Sequence, residues 1–233
     1  MAGLLSKAED FARFALDGHG KWAVKAVSYR FYGNETATGL RRDLAREFAN
    51  PRPKVPIVVR PLRADDDLGF LNDSGAGDDL TRFVQLRQLR MIRLNLPTCY
   101  VAVAPGGDVC YMQWLIPASE NAAIQANFAG RFPLLQPGEA LLEGAYTAPA
   151  YRGLGIMASA MGEIAEKAKL LGARWAITFV GLPNVASVKG CERAGFEPYV
   201  VRNQSWRMLH RRTRFVPLSQ GAEARVADRQ KVA

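Results

Sequence analysis

The chain has 233 residues, which is enough for one larger domain or for one ordinary domain with an extension. With 48% apolar and 23% charged residues, and no apolar run near the roughly 20 residues that span a bilayer, the composition is that of a soluble globular protein without a membrane span. The formal net charge of +9 favours an anionic ligand or partner, but the basic residues follow no motif that reads nucleic acid, so nucleic acid is not the expected partner.

The first 54 residues are predicted to form a mainly helical N-terminal extension. Apolar residues recur at helical spacing over 4–16, and this amphipathic helix is expected to pack on the main domain or on a second copy in a homodimer. Another short helix is predicted over 38–48, and the breaker run Asn50-Pro51-Arg52-Pro53 marks the boundary. The N-terminus lacks the apolar core of a secretory signal, so a cytoplasmic location is expected.

From residue 55 onward strand and helix patterns alternate, which indicates an α/β or α+β domain over 55–216. Pro105-Gly106-Gly107-Asp108 is a hairpin signal, the long connection 117–138 is predicted to be a loop on the substrate side, and 217–233 is predicted to be a flexible basic tail. The predicted strands are 57–60, 99–104, 109–116, 140–147, 175–180, 196–201 and 205–216. The predicted helices are 65–71, one from Asp78 or Asp79 to about 94, 154–171 and 184–194.

Neither the cysteines nor the C-terminal arginines form a recognisable motif in the sequence. Cys99, Cys110 and Cys191 show neither CxxC spacing nor a matching histidine cluster, so we expect no metal site and no disulfide framework. Arginines become frequent towards the C-terminus, and the plain interpretation is a solvated basic face. These residues are Arg202, Arg207, Arg211, Arg212 and Arg214.

The stretch Arg152-Gly153-Leu154-Gly155 lies between a predicted strand and a predicted helix. The first N–H groups of a helix have no intrahelical partner and carry about half a positive charge, so they bind anions such as phosphates. Glycine allows the positive φ angles with which successive N–H groups converge on a ligand. A P-loop would require the sequence GK[ST], and a dinucleotide-binding fingerprint would require G-x-G-x-x-G. The stretch matches neither motif in full. The stretch is therefore either a pyrophosphate cradle or an ordinary turn.

Two motifs in this order resemble the GNAT superfamily of N-acyltransferases. Arg152 and Gly155 match the pyrophosphate motif [Q/R]-x-x-G-x-[G/A], with Met157 at the last position. The run from Asn184 to Phe196 is similar to N-x-x-[A/S]-x-x-x-Y-E-K-x-G-F except that Cys191 replaces the tyrosine. The resemblance covers roughly 56–216. It implies a GNAT-like α+β fold, in which a mixed, mostly antiparallel central sheet contains a splayed parallel strand pair and is flanked by helices.

The resemblance also implies where acyl-CoA binds and how it reacts. Acetyl-CoA, or another acyl-CoA, would be a co-substrate held in the gap between the strands 141–147 and 175–180, with its pantetheine arm against a β-bulge. No metal is implied. The residues that the resemblance assigns to the cofactor are Ala145, Tyr146, Thr147, Arg152, Gly153, Leu154, Gly155, Ile156, Met157, Asn184 and Ser187.

A general base and a proton donor complete the predicted chemistry. Glu143 lies just ahead of the cofactor-facing part of its strand and is the first candidate for the base, with Glu139 as the second. Cys191 stands where the family's proton-donating tyrosine is usual. Water and three hydroxyl side chains are alternatives to it. These side chains are Ser187, Tyr146 and Tyr199.

The leading hypothesis is an N-acetyltransferase, an enzyme in which a primary amine of a small molecule or a peptide attacks the thioester directly. A transferase that uses a longer acyl chain or an acyl-carrier protein is a close variant. A CoA-binding sensor or interaction domain without catalysis is a rival, supported by Cys191 and Met157. A protein that binds nucleic acid through its basic C-terminus is a third alternative.

Overall fold

The computed structural model describes residues 20–72, 79–94 and 96–218. The helix predicted over 4–16, the tail from 219 and Asp78 lie outside these residues. The strands are β1 (Tyr32–Asp43), β2 (Val58–Pro61), β3 (Cys99–Val103), β4 (Val109–Pro117), β5 (Glu139–Thr147), β6 (Trp175–Gly181), β7 (Glu197–Arg207) and β8 (His210–Pro217). The α-helices are α1 (Gly20–Phe31), α2 (Asp79–Arg93), α3 (Asn121–Phe128), α4 (Ile156–Lys167) and α5 (Val185–Arg193).

The eight strands form one sheet in the order β2-β3-β4-β5-β6-β1-β7-β8. The neighbouring strands are antiparallel except for β5 and β6, which run parallel. This parallel pairing joins Glu139–Leu141 to Trp175–Ile177 and ends there. The side-chain hydroxyl of Thr178 donates to the Leu142 carbonyl at 2.9 Å where the pairing stops. Beyond this point the two strands separate, so the predicted α+β class with a splayed parallel pair is confirmed.

Helices cover both faces of the sheet, and each face has its own apolar core. On one face α4 and α5 pack against alternate strand residues such as Leu40 and Leu142. On the other face α2 and α3 pack against Trp114, Leu141 and Ile177. Because β4 is covered on both sides, eight of its nine residues are buried, which explains its nearly continuous apolar sequence. Among the described residues, no helix combines the length and the hydropathy needed to cross a membrane.

The prediction of a helix over 38–48 is wrong. Residues 32–43 form β1, which lies between β6 and β7 and contributes to the middle of the sheet. The helical pattern misled because Arg42 is buried. Its guanidinium donates to the Ala194 carbonyl at 3.0 Å and pairs with Glu166, so a charged residue occupies an interior position. The limits proposed for the extension and the domain remain predictions, although this strand precedes the proposed boundary.

Three further boundaries differ from the prediction. The connection 117–138 is not a continuous loop, because it contains α3. The helix predicted over 65–71 is reduced to a single 3₁₀ turn, Gly69–Leu71. The last hairpin turns at Met208 and Leu209, whose φ angles are 49° and 66°, and not before Ser205 as predicted. The prediction is confirmed to within a few residues for the hairpin β3–β4, the strands β2, β5 and β6 and the helices α2, α4 and α5.

Candidate active site

A cleft of about 670 Å³ opens where β5 ends and α4 begins, with α5 along one side. Ten of the eleven residues predicted to contact a cofactor line it; Leu154 instead packs against the apolar core. The ten are Ala145, Tyr146, Thr147, Arg152, Gly153, Gly155, Ile156, Met157, Asn184 and Ser187. Residues from two distant stretches of the sequence therefore meet in one cleft.

The turn before α4 presents a set of unused backbone donors. Gly153 and Gly155 both have φ of 77°, and α4 begins directly after them. Among the described residues no hydrogen-bond acceptor faces the N–H groups of 153–158, whereas the Ser159 N–H already donates to the Gly155 carbonyl at 3.3 Å. The Leu154 carbonyl accepts a hydrogen bond from the Lys54 N–H at 2.8 Å, which anchors the turn from behind. Unpaired N–H groups that converge at a helix N-terminus are the arrangement with which proteins bind anions.

Arg152 is held at the entrance of this site. Its Nε donates to the Thr147 carbonyl at 3.3 Å, and its guanidinium carbon lies 5.7 Å from the centre of the Tyr146 ring. These contacts leave the remaining guanidinium N–H groups available to an anion that approaches the turn.

Helix α5 packs closely on the start of α4. Asn184 caps α5, and its side chain accepts a hydrogen bond from the Ser187 N–H at 3.1 Å. A Cβ atom at Gly190 would lie only 3.0 Å from the Met157 sulfur. The large side chain at position 157, where the family motif has glycine or alanine, is thus accommodated by a glycine on the facing helix.

A β-bulge interrupts β5 beside the cleft. Trp114 pairs with Glu143 and Met112 pairs with Tyr146, so Gly144 and Ala145 together face the single intervening residue of β4. Gly144 has φ of 70°, and a Cβ atom there would lie 2.8 Å from the Trp114 ring. The bulge that the family resemblance implied is present, and only glycine fits at its first position.

Replacing Gly144 by alanine is expected to destabilise the fold by about 3 kcal/mol, because it combines the left-handed backbone penalty with overpacking. Urea unfolding followed by tryptophan fluorescence measures this change in the free energy of unfolding. Gly107→Ala serves as the control, because Gly107 has φ of 98° and nothing within 4 Å of its Cβ direction. Equal losses for the two variants would show that crowding at the bulge contributes nothing.

A smaller cavity of about 150 Å³ continues into the gap between β5 and β6. Glu143 lines it, is 8% exposed, and accepts from the Arg87 guanidinium at 3.1 Å. Arg131 and Arg202 line it as well. Glu143 therefore lies in the gap, and its role as the base stays a prediction, whereas the three arginines were not predicted to lie there.

Arg202 is buried in this gap and does not belong to a solvated basic face. The residue is 1% exposed, donates to Glu35 at 2.8 Å and to the Arg131 carbonyl at 3.3 Å. Burial, and then the neighbouring Arg131, lower the pKa of Arg202 to about 10. The expectation that Arg202 belongs to a solvated surface is wrong. On β7, Val200, Arg202 and Gln204 are buried and alternate with less buried residues, so Arg202 is on the inward face of this strand.

The predicted proton donors differ in their surroundings. Cys191 borders the gap but is 1% exposed, and its sulfur lies 3.8 Å from the Met161 sulfur. Burial raises the pKa of the Cys191 thiol to about 12. The Tyr146 hydroxyl is buried without a hydrogen-bond partner among the described residues, and its ring stacks on Phe70. Burial also raises the pKa of Tyr199.

Glu139, the second candidate for the base, is placed differently from Glu143. It lies where β5 and β6 are still paired, and its carboxylate accepts from the Gln136 N–H at 2.8 Å. It does not line either cavity. The part of the chain that the structure describes contains no group of three or more His, Cys, Asp or Glu side chains placed to bind a metal ion.

Residues 113–196 match the family model described as Acetyltransferase (GNAT) family. No curated protein matches the sequence significantly. Among solved structures, the chain is similar to an acetyltransferase from the GNAT family of Colwellia psychrerythraea, with 15% identity, 79% of this chain and 56% of that chain covered and a TM-score of 0.47. It is also similar to a GCN5-related N-acetyltransferase from Sphaerobacter thermophilus, with 14% identity and a TM-score of 0.44. This match covers 79% of this chain and 56% of that chain. The chain thus spans a little over half the length of these structures.

Proposed function

We propose that the protein is an N-acetyltransferase that moves an acetyl group from acetyl-CoA to a primary amine, in keeping with the match of residues 113–196 to the Acetyltransferase (GNAT) family model. The observation that carries the proposal is the pair of adjoining cavities at the turn 153–158 and in the gap between β5 and β6, which share the lining residues Ala145, Met157, Asn184 and Ser187. The CoA pyrophosphate binds at the turn, and the pantetheine arm follows the bulged end of β5 toward Glu143.

The acetyl thioester then lies beside the bulge, where a backbone N–H can hydrogen-bond its carbonyl oxygen. Ala145, on the bulge, is the proposed donor to the oxyanion. The amine nitrogen attacks the carbonyl carbon, the C–S bond breaks, and the amine proton passes to the Glu143 carboxylate directly or through water. The CoA thiolate leaves and takes up a proton. The position of Glu143 at the inner end of the gap supports its role as the base.

Cys191 remains the predicted proton donor, and its burial limits what it can contribute. A thiol with a pKa of about 12 is a weaker acid than an ordinary thiol with a pKa of about 8.5, so proton transfer from it to the CoA thiolate is uphill. We expect Cys191→Ala to lower kcat by less than about tenfold, measured at saturating acetyl-CoA by release of free CoA. Cys110→Ala, a second buried thiol outside both cavities, is the control for packing. A drop of a hundredfold or more specific to Cys191→Ala would establish the thiol as the donor.

The proposal as a whole is tested by incubating the protein with isotopically labelled acetyl-CoA and a panel of small-molecule and peptide amines. Mass spectrometry detects the label on the amine. We expect transfer to at least one amine and stoichiometric release of CoA. Saturable binding of CoA without transfer to any amine would instead support the second candidate, a CoA-binding domain without catalysis, which the buried and weakly acidic Cys191 favours.

A further inference from the structure

The inner gap contains more positive than negative charge. Three arginines, Arg87, Arg131 and Arg202, line the same small cavity as the single carboxylate Glu143. Glu35 lies behind them and pairs with Arg202 at 2.8 Å and with Arg131 at 3.4 Å. Among the described residues, these three guanidinium groups therefore share two carboxylates. The imbalance is costly in a partly buried setting unless an anion completes it.

The guanidinium groups also have unused hydrogen-bonding capacity. The Nε atoms of Arg87, Arg131 and Arg202 are buried and have no hydrogen-bond partner among the described residues. Arg202 is almost completely buried, so water does not compensate its charge freely. The depressed pKa of Arg202, caused by burial and by Arg131, is consistent with a shortage of negative charge around it. Guanidinium groups bind carboxylate and phosphate oxygens in a fork geometry that an isolated ammonium group does not provide.

The gap places this unused positive charge next to the proposed base. Arg87 and Glu143 are 3.1 Å apart, so a ligand that bears an ammonium and an anionic group close together can replace this internal pair. Its ammonium group would contact Glu143 while its anionic group contacts Arg87 and Arg131. A volume of about 150 Å³ holds on the order of five water molecules, which is enough for such a charged head group but not for a large molecule.

Building on the proposed function, we infer that the acceptor is a small primary amine that carries a carboxylate or a phosphate a few bonds from its nitrogen. An α-amino acid has this chemistry, and so does a short aminoalkyl phosphate. The arginines position the acceptor and determine its class, whereas Glu143 receives the proton. The internal pair of Arg87 and Glu143 holds both side chains in the gap until the acceptor replaces it.

The test compares acceptors that differ only in the anionic group. Acetyl transfer from labelled acetyl-CoA is measured for amino acids, for their carboxamides, for the corresponding decarboxylated amines and for aminoalkyl phosphates. We expect kcat/KM for the best anionic acceptor to exceed that for its neutral counterpart at least about tenfold. The amino-acid and phosphate arms identify which anion is preferred.

Arg87→Gln tests whether this arginine selects the acceptor. Arg87 is partly exposed, but its loss also removes the ion-pair partner of the buried Glu143, so the selectivity between acceptors is the readout and not the rate alone. We expect the ratio of kcat/KM for the anionic acceptor to kcat/KM for its neutral counterpart to fall about tenfold or more in this variant, while the affinity for acetyl-CoA changes less than about threefold. Arg46→Gln, on an exposed arginine outside both cavities, is the matched control and should alter none of these values.

The two proposals fail in different ways. Transfer to neutral amines as efficiently as to anionic ones, or an equal loss for both classes in Arg87→Gln, overturns the inference about the acceptor and leaves the acetyltransferase in place. Acetyl-CoA binding without transfer to any amine overturns the proposed function, and the acceptor inference with it.

Discussion

Replacing Gly155 by valine is expected to lower the affinity for CoA by about two orders of magnitude or more. The φ of 77° at this position is strained for any residue with a Cβ atom and most of all for a β-branched one. The Cβ atom would lie 3.7 Å from the Pro53 Cα atom, an ordinary van der Waals contact, so the expected effect comes from the backbone conformation. The turn must therefore move, and the N–H groups of 153–158 no longer converge. Loss of two charge-assisted hydrogen bonds at about 1.5 kcal/mol each corresponds to about a hundredfold in affinity.

Isothermal titration calorimetry with CoA measures this change, and Gly172→Val is its matched control. Gly172 ends the same helical segment at the opposite end, with φ of 74° and nothing within 4 Å of its Cβ direction. That variant carries a similar backbone penalty but should bind CoA with unchanged affinity. If Gly155→Val also binds CoA normally, the turn is an ordinary loop and not a phosphate site.

The second large effect is expected for Glu143→Gln. The amide has nearly the shape of the carboxylate but accepts no proton at neutral pH, so kcat should fall about 10²- to 10⁴-fold. CoA affinity should change little, because Glu143 lines the inner gap and not the outer cleft. Single-turnover measurements with labelled acetyl-CoA separate the chemical step from binding.

Glu139→Gln is the natural comparison, since both glutamates belong to β5. Glu139 lies in the paired part of the strand and does not line either cavity, so its loss should leave kcat within about threefold of the original value. A large loss in Glu139→Gln together with a small one in Glu143→Gln would reverse the assignment of the base.

The parts of the site that local chemistry determines were predictable from the sequence. Two glycines after a strand and before a helix allow a left-handed turn, and Gly153 and Gly155 adopt that conformation. Asn184 likewise caps α5 through a contact only three residues away. The accommodation of Met157 was not predicted, because Gly190, which faces it, lies on another helix.

The parts that depend on long-range packing were not predictable. The sequence over 38–48 predicts a helix, whereas residues 32–43 form a strand whose pairing with β6 and β7 involves residues more than 130 positions away. The acidic Glu35 on this strand and the basic Arg202 on β7 meet only because the strands pair, which brings together side chains 167 residues apart. Nothing in the local pattern around Arg87 or Arg131 indicates the carboxylates that they contact, so the charge of the inner gap became visible only in the folded chain.

The most direct test of acyl-CoA binding is hydrogen–deuterium exchange of the protein with and without acetyl-CoA. Acetyl-CoA is expected to slow exchange of the amides of 153–158, which have no acceptor among the described residues of the free protein, and of 144–147 at the bulge. The far hairpin of β7 and β8 should exchange at an unchanged rate. Binding of acetyl-CoA that protects other segments and leaves 153–158 unaffected would contradict the placement of the cofactor in this cleft.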